Sequence, residues 1–139
     1  MNIAQIIKER NGGYLRVDSR RVYNSSLEQV MGLFGLEPNS KLLEECDIDY
    51  AIEVVKTILW RDLAYNTEMV PEETALERAT FLVNQFYEVE SKLFTNGDFK
   101  DYHVQSTSSF NPLTNATFSA GIIILNSGYA ACILAEDED

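Results

Sequence analysis

Hydrophobic positions along the first two-thirds of the chain recur at helical spacing, while those of the last quarter run together without polar interruption. Ile3, Ile6 and Ile7 share a helical face ahead of Asn11, Gly12 and Gly13, which predicts a short amphipathic helix over residues 2–11 with a glycine C-cap. Residues 14–17 alternate, but Asp18, Ser19, Arg20 and Arg21 interrupt them, and the segment fits a short strand or an ordered loop equally well. Ser25 or Ser26 then caps a helix whose face is Leu27, Val30, Met31 and Phe34, ended by Gly35 and Pro38. Asn39 and Ser40 offer a second cap, for one turn through Leu42 and Leu43.

Two long periodic stretches follow. Asp47 caps a helix running to about Asn66, with Ile48, Ile52, Val55, Leu59 and Leu63 in one stripe and Ala51, Val54 and Ile58 beside it, a width that calls for packing on more than one side. Pro71, Glu72 and Glu73 start the next, because proline tolerates the first helical position and acids complement the exposed amides there. Its stripe of Ala75, Ala79, Leu82, Phe86, Val89 and Leu93 keeps register up to a stop at Asn96, Gly97 and Asp98. The short link between the two helices predicts an antiparallel pair.

The remainder reads as strands. Residues 102–109 are polar, β-prone and alternating, which predicts an edge strand, and residues 111–115 form a turn. Asn126, Ser127 and Gly128 separate two apolar runs, a hairpin signal. Ile122, Ile123, Ile124 and Leu125 do not alternate with polar residues, so both faces of their strand should be covered. The expected architecture is a single α+β domain over residues 1–139. Its N-terminal two-thirds would be helical, with the long antiparallel helix pair packed on a C-terminal three-stranded antiparallel meander of about residues 102–109, 116–125 and 129–135.

Composition narrows the partners. The 139 residues, 45% apolar, suit one domain with an ordinary core. With 22 acidic and 11 basic residues the net charge is -11 and the pI near 4.4, which argues against nucleic acid and against anionic membranes as partners and favours a basic one. The cations gather early: Lys8, Arg10, Arg16, Arg20 and Arg21 face only Glu9 and Asp18 in the first 21 residues. Arg16, Arg20 and Arg21 are expected to pair with acids of the same chain. Cys46 and Cys132 lack metal or redox spacing and read as reduced, partly buried thiols. Neither a signal segment nor an apolar run near about 18 residues is present, so a soluble, cytoplasmic protein is expected.

Candidate chemistry is sparse. His103 is the only histidine, no nucleophile motif surrounds either cysteine, and the expected place for His103 is a strand with its ring at the surface. Three His and Cys residues at wide spacing do not make a zinc site. Residues 44–49 lack the glycine and terminal acid of a calcium loop, and the glycines at 12, 13 and 121 match no phosphate loop. No catalytic residue, metal or cofactor is therefore expected. What stands out is acidity in three clusters, at residues 44–49, 68–77 and 136–139, which would form an extended negative face if the fold brings them together.

The stretch from Asn111 to Phe118, followed by the strand at 121–125 and a second strand running into Glu136, Asp137, Glu138 and Asp139, resembles the ends of small immunity proteins encoded beside bacterial polymorphic and contact-dependent growth-inhibition toxins. Members of that group bind the toxin domain of a delivered effector, often a nuclease, and block its active site. They do not share one fold, so the resemblance implies a role: stoichiometric neutralisation of a basic toxin domain, without catalysis. The contacts expected for it are Glu44, Glu45, Asp47, Asp49, Glu136, Asp137, Glu138 and Asp139, with Tyr50, Trp60 or Tyr65 as aromatic anchors. The alternatives are a non-catalytic adaptor or phage-borne protein that binds a basic cellular partner through the same face, and, further off, a carboxylate-based enzyme.

Overall fold

Ile122, Ile123 and Ile124 occupy the middle strand of a five-stranded antiparallel sheet and are buried on both of its faces. The computed structural model describes residues 1–100, 102–103 and 110–138. In chain order these form helix α1 (Ile3–Glu9), strand β1 (Tyr14–Arg21), helix α2 (Leu27–Leu33), a single 3-10 turn (Ser40–Leu42), strand β2 (Glu44–Cys46), helices α3 (Ile48–Trp60) and α4 (Glu72–Phe86), and strands β3 (Lys92–Thr95), β4 (Phe118–Leu125) and β5 (Tyr129–Asp137). The sheet order is β1-β5-β4-β3-β2, with every pair antiparallel.

Two apolar layers cover the sheet. Ala120, Ile122, Ile124, Ala131, Ile133 and Ala135 pack with α1, α3 and α4 on one face. Ile123, Ala130, Cys132 and Leu134 pack on the other with Val30, Met31 and Phe34 of the α2 segment and with Leu36, Leu43 and Leu113 from loops. A strand buried on both sides has no use for alternation, which explains the unbroken apolar runs. Gly121 is set by the same crowding, since a Cβ there would lie 2.1 Å from the Ile133 carbonyl oxygen.

Among the described residues the fold is α+β with four helices and five strands, and this overturns the expected three-stranded meander beneath a helical N-terminal two-thirds. Two strands lie in the first half of the chain. All of residues 14–21 form β1, paired with β5 from Tyr14↔Glu136 to Arg21↔Tyr129. Its polar half follows from its place at the sheet edge, where side chains meet water. The expected strand at 102–109 lies, from residue 104 on, outside the described residues, and the neighbour of β4 is instead β3, with Leu93 opposite Ile124.

The second long helix is therefore shorter than its stripe. Val89 and Leu93 continue the helical register, yet the helix stops at Phe86 and Val89 is 92% exposed. The Phe86 carbonyl accepts bonds from Asn126 Nδ2 and the Tyr129 hydroxyl, each at 2.9 Å, so residues distant in sequence cap the helix end. The α3 helix likewise ends at Trp60 rather than Asn66. Asp62 gathers the backbone N–H groups of Ala64, Tyr65 and Thr67 into a loop that a helix could not continue. Caps read from the sequence at Ser26 and Asp47 are in place, the first as a capping box with Gln29.

Candidate functional site

The first acidic cluster sits where β2 runs into α3. β2 is the outer strand beside β3, with Glu44 opposite Thr95 and Glu45 opposite Phe94, and both glutamates are exposed. One residue beyond the strand, Asp47 accepts the Tyr50 N–H at 2.8 Å and caps α3. Tyr50, one turn into the helix, reaches across to the segment after β3. Its hydroxyl accepts the Phe99 N–H at 3.2 Å and lies 3.2 Å from Asp98 Oδ1 and 3.3 Å from the Gly97 carbonyl. Burial raises the Tyr50 phenol above its ordinary value, with the nearby Asp98 acting the same way, so it stays a neutral donor.

These residues line an open groove of about 500 Å³ in which Glu44, Glu45, Asp47 and Asp98 face one cation, Lys100. Among the described residues none of these four carboxylates, nor Asp49 on the exposed side of α3, forms an ion pair. The groove therefore presents uncompensated negative charge beside a half-buried tyrosine. Cys46 lies in it as well, but burial pushes its thiol up to about 11 and leaves it protonated at neutral pH.

The other clusters are placed elsewhere. Residues 136 and 137 belong to β5, three strands from β2, a separation of roughly 14 Å across the sheet. Asp137 is buried, gripped by Arg10 through two bonds of 2.9 and 2.8 Å, and it also accepts the Leu63 N–H at 2.8 Å. It has no surface to offer a partner. Glu136 pairs with Arg16 at 3.3 Å and Glu138 accepts the Thr117 hydroxyl at 2.5 Å, both beside a larger cleft of about 1130 Å³ that Glu37 also lines. Volume alone would favour that cleft, but Glu136 and Glu138 are already engaged there, whereas all four carboxylates of the groove at β2 are free of ion pairs among the described residues. Asp139 lies outside the described residues. Of the middle cluster, Glu68 bonds Trp60 Nε1 and Arg61, and Glu72 bridges to Lys56 of α3.

The aromatic candidates divide the same way. Tyr50 lines the groove, whereas Trp60 is half-buried between Arg61, 5.0 Å from its ring centre, and His103, which meets it edge-on at 5.5 Å. Tyr65 is 69% exposed but lies near Asp62 and Asp137 rather than the groove. His103 is not a surface strand residue. It sits in a turn with its Nε2 2.8 Å from the Thr57 carbonyl, and burial lowers its pKa, so the neutral ring donates through Nε2. Among the described residues no three His, Cys, Asp or Glu side chains come together to hold a metal.

Asp98 and the Arg10–Asp137 pair escaped the sequence reading. Asp98 reads there only as part of a helix stop, and the charge run at 136–139 gives no sign that one member turns inward. No family model, no curated protein and no solved structure matches the chain. No helix is long and apolar enough to cross a membrane among the described residues.

Proposed function

We propose that this protein is a cytoplasmic immunity protein of bacterial type, which binds a basic toxin domain in stoichiometric complex and blocks it. The observation that carries the reading is the groove at β2. There Glu44, Glu45, Asp47 and Asp98 stand without ion pairs around a tyrosine, on an exposed sheet edge. Unpaired carboxylates attract a basic partner and speed its approach, and a short edge strand offers backbone groups for a second chain. The reading also draws support from the 111–139 resemblance. Both thiols are held protonated by burial, Cys132 up to about 12, and His103 is engaged with Thr57, which leaves these groups ill-placed for nucleophilic chemistry.

The direct test is co-expression with the toxin-like domain encoded beside this chain. Rescue of growth together with a 1:1 complex is expected, and Glu44→Lys/Glu45→Lys should slow association and reduce its salt sensitivity. Rescue that survives this double reversal would discard the groove as the contact. Capture of a basic cellular protein, with no toxin bound, would replace immunity by the adaptor role.

A further inference from the structure

The free edge of β1 can be assigned residue by residue. Asn126 N donates to the Tyr129 carbonyl at the hairpin, so Tyr129 turns its backbone groups toward β4, while Ala130, Cys132, Leu134 and Glu136 turn theirs toward β1. Their partners are Arg20, Asp18, Arg16 and Tyr14. The bond from Val22 N to the Gly128 carbonyl continues the same parity. Leu15, Val17, Ser19 and Arg21 thus direct N–H and C=O away from the sheet, and among the described residues β1 has no strand on that side. The Ser19 N–H is occupied by Asp18 Oδ1 at 2.8 Å, and Arg20 holds the other oxygen of that carboxylate at 3.1 Å.

We propose that this edge docks a second copy of the chain, β1 against β1, antiparallel and centred on Ser19. In that register Ser19 faces Ser19, Val17 faces Arg21, and Asp18 faces Arg20 twice. The Asp18 and Arg20 positions are then non-hydrogen-bonded pairs, where cross-strand side chains lie closest and opposite charges count most. Centring on Asp18 or on Arg20 would set like charges face to face. Centring on Val17 would need Arg16, which Glu136 and the Phe34 carbonyl already hold. Each Asp18 exchanges its own Ser19 N–H for the partner's Arg20, and the Ser19 groups bond across the two-fold axis. Arg20 and Arg21 are exposed here, so two molecules of net charge -11 meet over their most basic surface. The groove at β2, on the opposite edge, stays open.

Sedimentation of the full chain over a concentration series should show a reversible monomer–dimer equilibrium. Arg20→Asp should raise its dissociation constant roughly tenfold or more, and Asp18→Arg/Arg20→Asp should restore it. In a Cys46→Ser background, Ser19→Cys should form an interchain disulfide on mild oxidation while Arg21→Cys does not, a result that stands even if a charge variant folds poorly. A chain that stays monomeric at every soluble concentration, or a dimer indifferent to Arg20→Asp, overturns the proposal.

Discussion

Arg10 and Asp137 form a two-pronged ion pair inside the protein, with side chains 1% and 2% exposed, that joins the end of α1 to the last residue of β5. Arg10 Nε also donates to the Ile58 carbonyl at 2.7 Å, and Asp137 takes the Leu63 N–H, so the pair also ties down the end of α3. Such a pair gains little over an apolar substitute, but losing one partner strands a buried charge. Asp137→Ala should therefore cost about 3–5 kcal/mol in urea unfolding, and Arg10→Met/Asp137→Leu much less than the single change. Gly13 guards the same pair: its φ is +58°, and a Cβ there would strike Asp137 Oδ1. If Asp137→Ala left stability intact but weakened partner binding, the inward role assigned to this acid would be wrong.

The groove acids separate by what else they do. Glu44 and Glu45 are exposed and make no ion pair among the described residues, so Glu44→Lys/Glu45→Lys should leave unfolding within about 0.5 kcal/mol of wild type while slowing capture of a basic partner. Asp47 also caps α3, so Asp47→Ala should cost about 1 kcal/mol of stability, and Asp47→Ser, which keeps the cap, should lose only the charge. Thermal melts beside association kinetics distinguish the two roles.

His103 gives a pH signature. Its folded pKa is lowered from 6.5, chiefly by burial and further by Arg61 and Lys56, against the raising effects of the Thr57 carbonyl and Asp62. A lowered value means that the unfolded chain takes up the proton first. Stability is thus complete above 6.5 and falls as pH drops from there through the folded value. Asp62 is also lowered: burial opposes this, but the N–H groups of Tyr65, Thr67 and Ala64 outweigh it, and its contribution disappears only in the carboxylate range, below 3.8. Urea midpoints between pH 7.5 and 5 should fall for wild type and flatten for His103→Gln. Equal slopes for the two proteins would remove His103 from the account.

Gly121 tests the sheet centre. A Cβ there would meet the Ile133 carbonyl and the Leu134 backbone, which cannot move without parting β4 from β5. Gly121→Ala should cost about 3 kcal/mol, whereas the same change at the exposed hairpin residue Gly128, where a Cβ meets nothing within 4 Å, should be nearly silent. Denaturant midpoints of the two variants decide it.

Local chemistry was legible in the chain wherever its cause was local. The Ser26 and Asp47 caps, the hairpin at residues 126–128 and the doubly covered strand at 122–124 depend on residues a few positions apart, so spacing alone located them. The exposed acids at 44, 45 and 47 were also readable, because a charge run that forms no ion pair among the described residues stays at the surface. Tertiary contacts decided the rest. Asn126 and Tyr129 cap α4 at Phe86 across forty residues and more, and Leu93 pairs with Ile124, so a stripe that reads as helix ends in a strand. β1 is a strand because β5 lies beside it, not because its own pattern alternates. Arg10 turns Asp137 inward out of an acidic run whose other described members stay accessible, since a desolvated carboxylate needs its counter-charge and only the folded chain brings the two together.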